Sequence, residues 1–117
     1  MQTTLDLDQI RDEFAIGDHI SDDVMSAFAR NWFDFADVEW SELEDSFCGI
    51  YGALDEDDAL GEYLFDVATD CGDLDNVPDY IRNYIDWVFV GRDARFNGEF
   101  RAGRLPDSYE WAVFRNF

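Results

Sequence analysis

The stretch DDALGEYLFDVATD, residues 57 to 70, places Asp58, Glu62, Asp66 and Asp70 at a spacing of four with no cation between them. Side chains four apart are neighbours on a helix, and like charges in that register cost a few tenths of a kcal/mol per pair. The stripe therefore works against the helix that carries it. The opposite face compensates, because Leu60, Tyr63, Leu64, Val67 and Cys71 recur at three-and-four spacing, the signature of an apolar stripe laid on a core. The spacing predicts a helix, and along it the carboxylates form a rail about 18 Å long with one charge per roughly 6 Å.

Immediately upstream, FCGIYGAL (47 to 54) is aromatic and β-branched with interior glycines and is predicted as a short strand. Downstream, Pro78 is predicted at the first position of a helix covering DYIRNYI, followed by a break at Asp86 and a second helix, WVFVGRDARF. GEFRAGRL and SYEWAVFR alternate on either side of Pro106 and Asp107 and predict a hairpin. Toward the N-terminus, Asp6 to Phe14 is predicted as a helix with Leu7, Ile10 and Phe14 inward and Gly17 closing it. Ser21 is the expected N-cap of a helix from Asp22 to Phe33, with Val24, Met25, Phe28 and Trp32 on one face. SELE, residues 41 to 44, fits a capping box between Ser41 and Glu44. The predicted class is α+β: an acidic helical region, 1–45, followed by a small domain, 46–117, with a short antiparallel sheet of about three strands and two or three helices.

The chain has 117 residues, a formal charge of -20, and eight basic residues that are all Arg, against 28 acids. An apolar content of 47% excludes a disordered acidic tail. The charge opposes compaction through self-repulsion, so the apolar content has to overcome it. It is also uneven: residues 1–79 hold 23 acids and two Arg, and residues 80–117 hold five acids and six Arg. Nearly all the negative charge lies on the first two thirds, and the aromatic last third is close to neutral. Binding to nucleic acid requires a basic footprint, and this chain has the reverse, so DNA is not an expected partner. Anionic membranes are disfavoured for the same reason, and no apolar run approaches the ~20 residues of a spanning helix. The opening MQTTLDLDQIRDEF lacks a signal peptide's basic and apolar segments, so a cytoplasmic location is expected. Cys48 and Cys71 show no CxxC pattern and are expected as reduced, partly buried thiols.

No constellation for chemistry is found. His19 is the sole histidine and is expected to be a solvated loop residue. DEDDALGE (55 to 62) matches a calcium loop at Asp55 and Asp57, but Ala59 fills its fifth position and Leu60 replaces the Gly at its sixth. Neither GxGxxG nor a Walker pattern is present. No catalytic residue, metal or cofactor is expected, and the chain is not expected to be an enzyme. A salt-adapted surface would also be acid-rich and Lys-free, but it would be acidic throughout, unlike the near-neutral 80–117 segment.

ALGEYLFDVATDCGDLDNVPDYIRNYIDWVFVGRD resembles the ArdA family of antirestriction proteins, above all in VP-x-x-I-x-NYID and GRD, joined by the later GEF and YEWAVFR. The resemblance is strongest over 45–117. Residues 1–44 look more loosely like the family's acidic helical middle region, and the further N-terminal α/β domain of a full-length member has no counterpart here. The resemblance implies an elongated DNA mimic, dimerised through its C-terminal domain, that occupies the DNA groove of type I restriction-modification enzymes in the host cell. The charge agrees in scale, since 20 charges correspond to roughly 34 Å of duplex at one per about 1.7 Å.

On this reading Asp55, Asp57, Asp58, Glu62, Asp66, Asp70, Asp73 and Asp75 form the phosphate-mimicking surface. Asp34, Asp37, Glu39, Glu42, Glu44 and Asp45 extend it. Gly91, Arg92 and Asp93 are expected as an internal structural element, with Arg92 pairing a nearby acid. Tyr80, Tyr84, Trp87 and Phe89 fall in the neutral segment and are read as partly core, partly homodimer contact. The alternative function is an acidic immunity or inhibitor module that caps a basic protein other than a DNA-binding enzyme.

Overall fold

The computed structural model describes residues 6–32 and 34–115. Its α+β architecture comprises α1 (Leu7–Glu13), α2 (Asp22–Ala29), two 3-10 turns (Phe35–Asp37 and Trp40–Glu42), α3 (Leu43–Ser46), β1 (Phe47–Gly52), α4 (Glu56–Asp70), α5 (Asp79–Arg82), α6 (Trp87–Phe96), β2 (Phe100–Arg104) and β3 (Glu110–Arg115). The strands form one antiparallel sheet in the order β1-β3-β2, with Ile50 opposite Ala112 and Gly103 opposite the same residue on the other side.

The central strand explains why both ends of the chain need each other. Successive side chains of a strand point to opposite faces, and Ala112, Val113 and Phe114 are all buried. Ala112 and Phe114 pack with Val24, Met25, Phe28 and Leu43 from the N-terminal segment, joined by Leu105. Val113 packs on the other face with Ala59 and Leu60 of α4 and with Ala102. The sheet is thus a partition between two cores, one built on α2 and the other on α4. Phe28 sits edge-on to Phe114 at 5.2 Å and tilts against Trp40 at 5.8 Å; such aromatic pairs contribute about 0.5–1.5 kcal/mol beyond their buried area.

On the outer side of α4 lies α6, and two glycines set the distance between them. A Cβ on Gly61 would lie 2.3 Å from the Trp87 carbonyl oxygen, and one on Gly91 would lie 2.3 Å from that of Asp57 and 2.6 Å from the Gly61 nitrogen. Backbones approach this closely only where side chains are absent. Gly91, the Gly of GRD, is therefore a packing residue.

Several local expectations change. α1 stops at Glu13, with Phe14 as C-cap and 40% exposed rather than inward. Ala15, at φ 52, makes the left-handed turn, two residues before Gly17. Ser21 does cap α2, its hydroxyl accepting from the Val24 N–H at 3.2 Å. The helix ends at Ala29, where the Asn31 and Trp32 N–H groups turn back to the Phe28 and Ala29 carbonyls. Phe33, the expected end, lies outside the described residues. The Ser41/Glu44 capping box does not form, because Ser41 lies in a 3-10 turn and α3 begins without a side-chain cap. Glu44 instead accepts from the Gly17 N–H at 3.0 Å and approaches the exposed His19 ring at 3.4 Å, tying α3 to the loop before α2. Pro78 is the N-cap of α5 rather than its first residue, and Asp86 caps α6 by accepting from the Phe89 N–H. Both cysteines are free thiols, and Cys71 is exposed instead of partly buried.

Candidate functional site: the carboxylates of the long helix

α4 is the longest helix, and its acids divide by position. In the first turn every acid has a structural task. Asp55, the N-cap, accepts from the Asp58 N–H at 2.9 Å, and Asp58 reaches back to accept from the Leu54 N–H at 3.0 Å. This reciprocal pairing satisfies two donors around the helix start. Glu56 accepts from Arg101 Nε at 2.8 Å and from the Ala102 N–H at 2.8 Å. It thereby covers part of the outer edge of β2, which would otherwise offer a donor for strand pairing. Asp57 accepts from Arg95 Nε at 2.7 Å and is half-buried. That hydrogen bond leads the causes that hold the Arg95 guanidinium above its ordinary value.

Beyond the first turn the pattern reverses. Glu62, Asp66 and Asp70 are exposed, and among the described residues none of them makes an ion pair. Tyr51 faces Asp66, and its hydroxyl is pushed up first by burial and then by that carboxylate. Tyr63, on the core side, is pushed up to about 12 by burial, with the Cys48 thiol contributing next. Past the helix, Asp73 and Asp75 are exposed in the turn that leads to α5. Asp34, Asp37, Glu39, Glu42, Glu44 and Asp45 are likewise exposed, although Asp34 accepts from the Ala36 N–H and Glu44 is engaged as above.

Of the fourteen expected surface acids, Asp57 and Asp58 are thus tied inward, and the clamp residue Glu56 was absent from the expected set. Its partners Arg101 and Ala102 lie 45 and 46 residues away, a separation that no local pattern reveals. Arg92 also departs from expectation. Among the described residues it makes no ion pair, and its guanidinium lies 5.9 and 5.1 Å from the Phe89 and Phe96 ring centroids. The acid-pairing arginine of α6 is Arg95, one turn on. Tyr80, Tyr84 and Phe89 are 71%, 87% and 54% exposed, whereas Trp87 is half-buried edge-on to Phe65 at 5.3 Å. Asp93 is exposed.

Among the described residues no three His, Cys, Asp or Glu side chains are grouped to hold a metal ion, and no helix is long and apolar enough to cross a membrane. Fold and surface together define an acidic α+β protein that displays unneutralised carboxylates from a rigid helix. The family model of the antirestriction protein ArdA matches residues 3–104, and the chain belongs to that family. The matched span takes in the N-terminal segment, where the resemblance of motifs was looser, and ends before β3. No curated protein and no solved structure matches the chain.

Proposed function

We propose that this antirestriction protein is a non-enzymatic DNA mimic that occupies the DNA-binding groove of a type I restriction-modification enzyme inside the host cell. The observation that carries the reading is the unpaired register Glu62, Asp66 and Asp70 on α4, held rigid by α6 and the sheet. The body is elongated, 53 × 25 × 24 Å, with a radius of gyration of 15.8 Å against about 13 Å for a compact chain of this length. Twenty net charges along 53 Å amount to one per about 2.7 Å, within a factor of two of the duplex value of about 1.7 Å. Carboxylates fixed in this way offer a basic groove what phosphates offer it, so association is fast, salt-dependent and competitive with DNA. Asp34, Asp37, Glu39, Glu42, Asp45, Asp73 and Asp75 extend the surface, and Glu44, Asp55, Asp57 and Asp58 serve mainly to hold it in shape. Two copies associate through the near-neutral C-terminal segment, where the exposed Tyr80, Tyr84 and Phe89 lie and where repulsion between copies is least.

Cleavage of a target plasmid by a type I restriction enzyme, measured with increasing protein, tests this directly. Inhibition is expected, is relieved by added plain duplex DNA, and weakens about tenfold, the factor ~1.4 kcal/mol carries, in the variant Glu62→Gln/Asp66→Asn/Asp70→Asn. Full cleavage in excess protein, or inhibition indifferent to that variant, would remove the basis for mimicry.

A further inference from the structure

With 28 acids available to eight arginines, a guanidinium without a partner is unexpected. All 28 acids lie among the described residues. Arg11, Arg82, Arg95 and Arg101 make ion pairs with acids, Arg115 donates to the Asp45 carbonyl, and Arg92 packs on two rings. Arg30 and Arg104 are both exposed, and among the described residues their side chains make neither an ion pair nor a hydrogen bond. Both line the same concavity of about 290 Å³ at the outer side of β2, together with Asn31, Arg101 and Trp111. Arg104 stands directly opposite Trp111 in the β2–β3 register. Three of the eight cations of a strongly acidic chain therefore surround one hollow, and only Arg101 is neutralised there, by Glu56 at 2.8 Å.

Arg30 follows the last residue of α2, where the negative end of the helix dipole favours a cation. That accounts for one guanidinium. Arg104 belongs to a strand and has no such reason to be there. We propose that the hollow binds one compact oxyanion, a free phosphate or a small carboxylate, held between the Arg30 and Arg104 guanidiniums with the Trp111 indole as its wall. Charge-assisted bonds from arginine to phosphate or carboxylate are short and about twice as strong as neutral ones, and the planar fork is already organised to make them. A concavity of about 290 Å³ has room for a partly hydrated phosphate or a short dicarboxylate. Among the described residues no acid lies within ion-pair distance of Arg30 or Arg104, and carboxylates beyond a Debye length of about 8 Å are screened at physiological salt. The site stands independently of DNA mimicry.

The test is a heteronuclear NMR titration of the full chain with inorganic phosphate at neutral pH, against sodium chloride of matched ionic strength. Trp111→Phe assigns the Trp111 indole N–H among the four tryptophans. Saturable movement of that signal is expected, with affinity about tenfold weaker in Arg30→Ala/Arg104→Ala. A parallel titration with glutarate separates a phosphate preference from a carboxylate one, and saturation by either supports the site. No saturation by either anion, or equal affinity in the double variant, overturns it. If the double variant melts earlier than the parent, the single exposed change Arg104→Gln is read in its place, against the same two outcomes.

Discussion

The two ends of α4 carry the same kind of side chain and use it in opposite ways. At the N-terminal end, Asp55, Glu56, Asp57 and Asp58 are consumed by the fold: they cap the helix, cover the edge of β2 and hold α6 through Arg95. From Glu62 onward the acids face solvent without ion pairs among the described residues. Acids near a helix N-terminus are stabilising, because the dipole and the free N–H groups favour negative charge there. Further along, acids receive nothing from the dipole or from free N–H groups, and they repel one another at four-residue spacing. The first group accounts for its own presence through stability; the second has no such account in the fold.

That contrast can be broken by mutation. The largest loss is expected from Gly91→Ala, which drives a Cβ to within 2.3 Å of the Asp57 carbonyl oxygen and parts α6 from α4. Overpacking of this kind costs about 3 kcal/mol at the upper end of its usual range, measured by urea unfolding. Glu56→Gln comes next, at about 2 kcal/mol, since it weakens a charge-assisted contact to Arg101 and to the Ala102 N–H together. Asp57→Asn is expected to cost about 1 kcal/mol by leaving Arg95 partly unpaired. If either of these two behaves like a surface substitution, the first-turn acids are not structural.

Alkaline pH probes the core beneath the stripe. The folded pKa of Tyr63, pushed up to about 12 by burial, lies above the unfolded value near 10. Its contribution to stability is complete below pH ~10 and is lost as pH rises toward 12, because only the unfolded chain readily gives up the proton. Melting temperature is expected to fall over that window, and Tyr63→Phe should flatten the fall. The smallest stability change belongs to Glu62→Gln/Asp66→Asn/Asp70→Asn, a gain of a few tenths of a kcal/mol as like-charge repulsion is relieved. A stability loss there would mean the exposed acids also hold the fold.

Periodicity located α4, α6, β1 and the β2–β3 hairpin, since each carries a strong apolar rhythm or a turn signal: Leu60 with Leu64 and Val67, Asp86 before Trp87, Pro106 with Asp107. It failed where a local rule was outbid. Glu44 had the spacing of a capping box but bonds to Gly17, and the left-handed residue after α1 is Ala15, two residues before the Gly17 expected to close that helix. At the candidate surface, exposure of Glu62, Asp66 and Asp70 was legible from the apolar stripe opposite them. The role of Glu56 was not, nor the choice of Arg95 over Arg92 as the pairing cation.

Composition and residue order alone determined that this chain is folded and acidic, that its negative charge crowds the first two thirds, and that one long helix bears a rail of carboxylates. These are properties of order and spacing along the chain, which local physics reads directly. Only the tertiary structure decided which acids are free and which are bound, and that two unpartnered arginines share one hollow. Neutralisation of a charge depends on what lies within a few ångströms, and here those neighbours come from strands and helices up to 46 residues away.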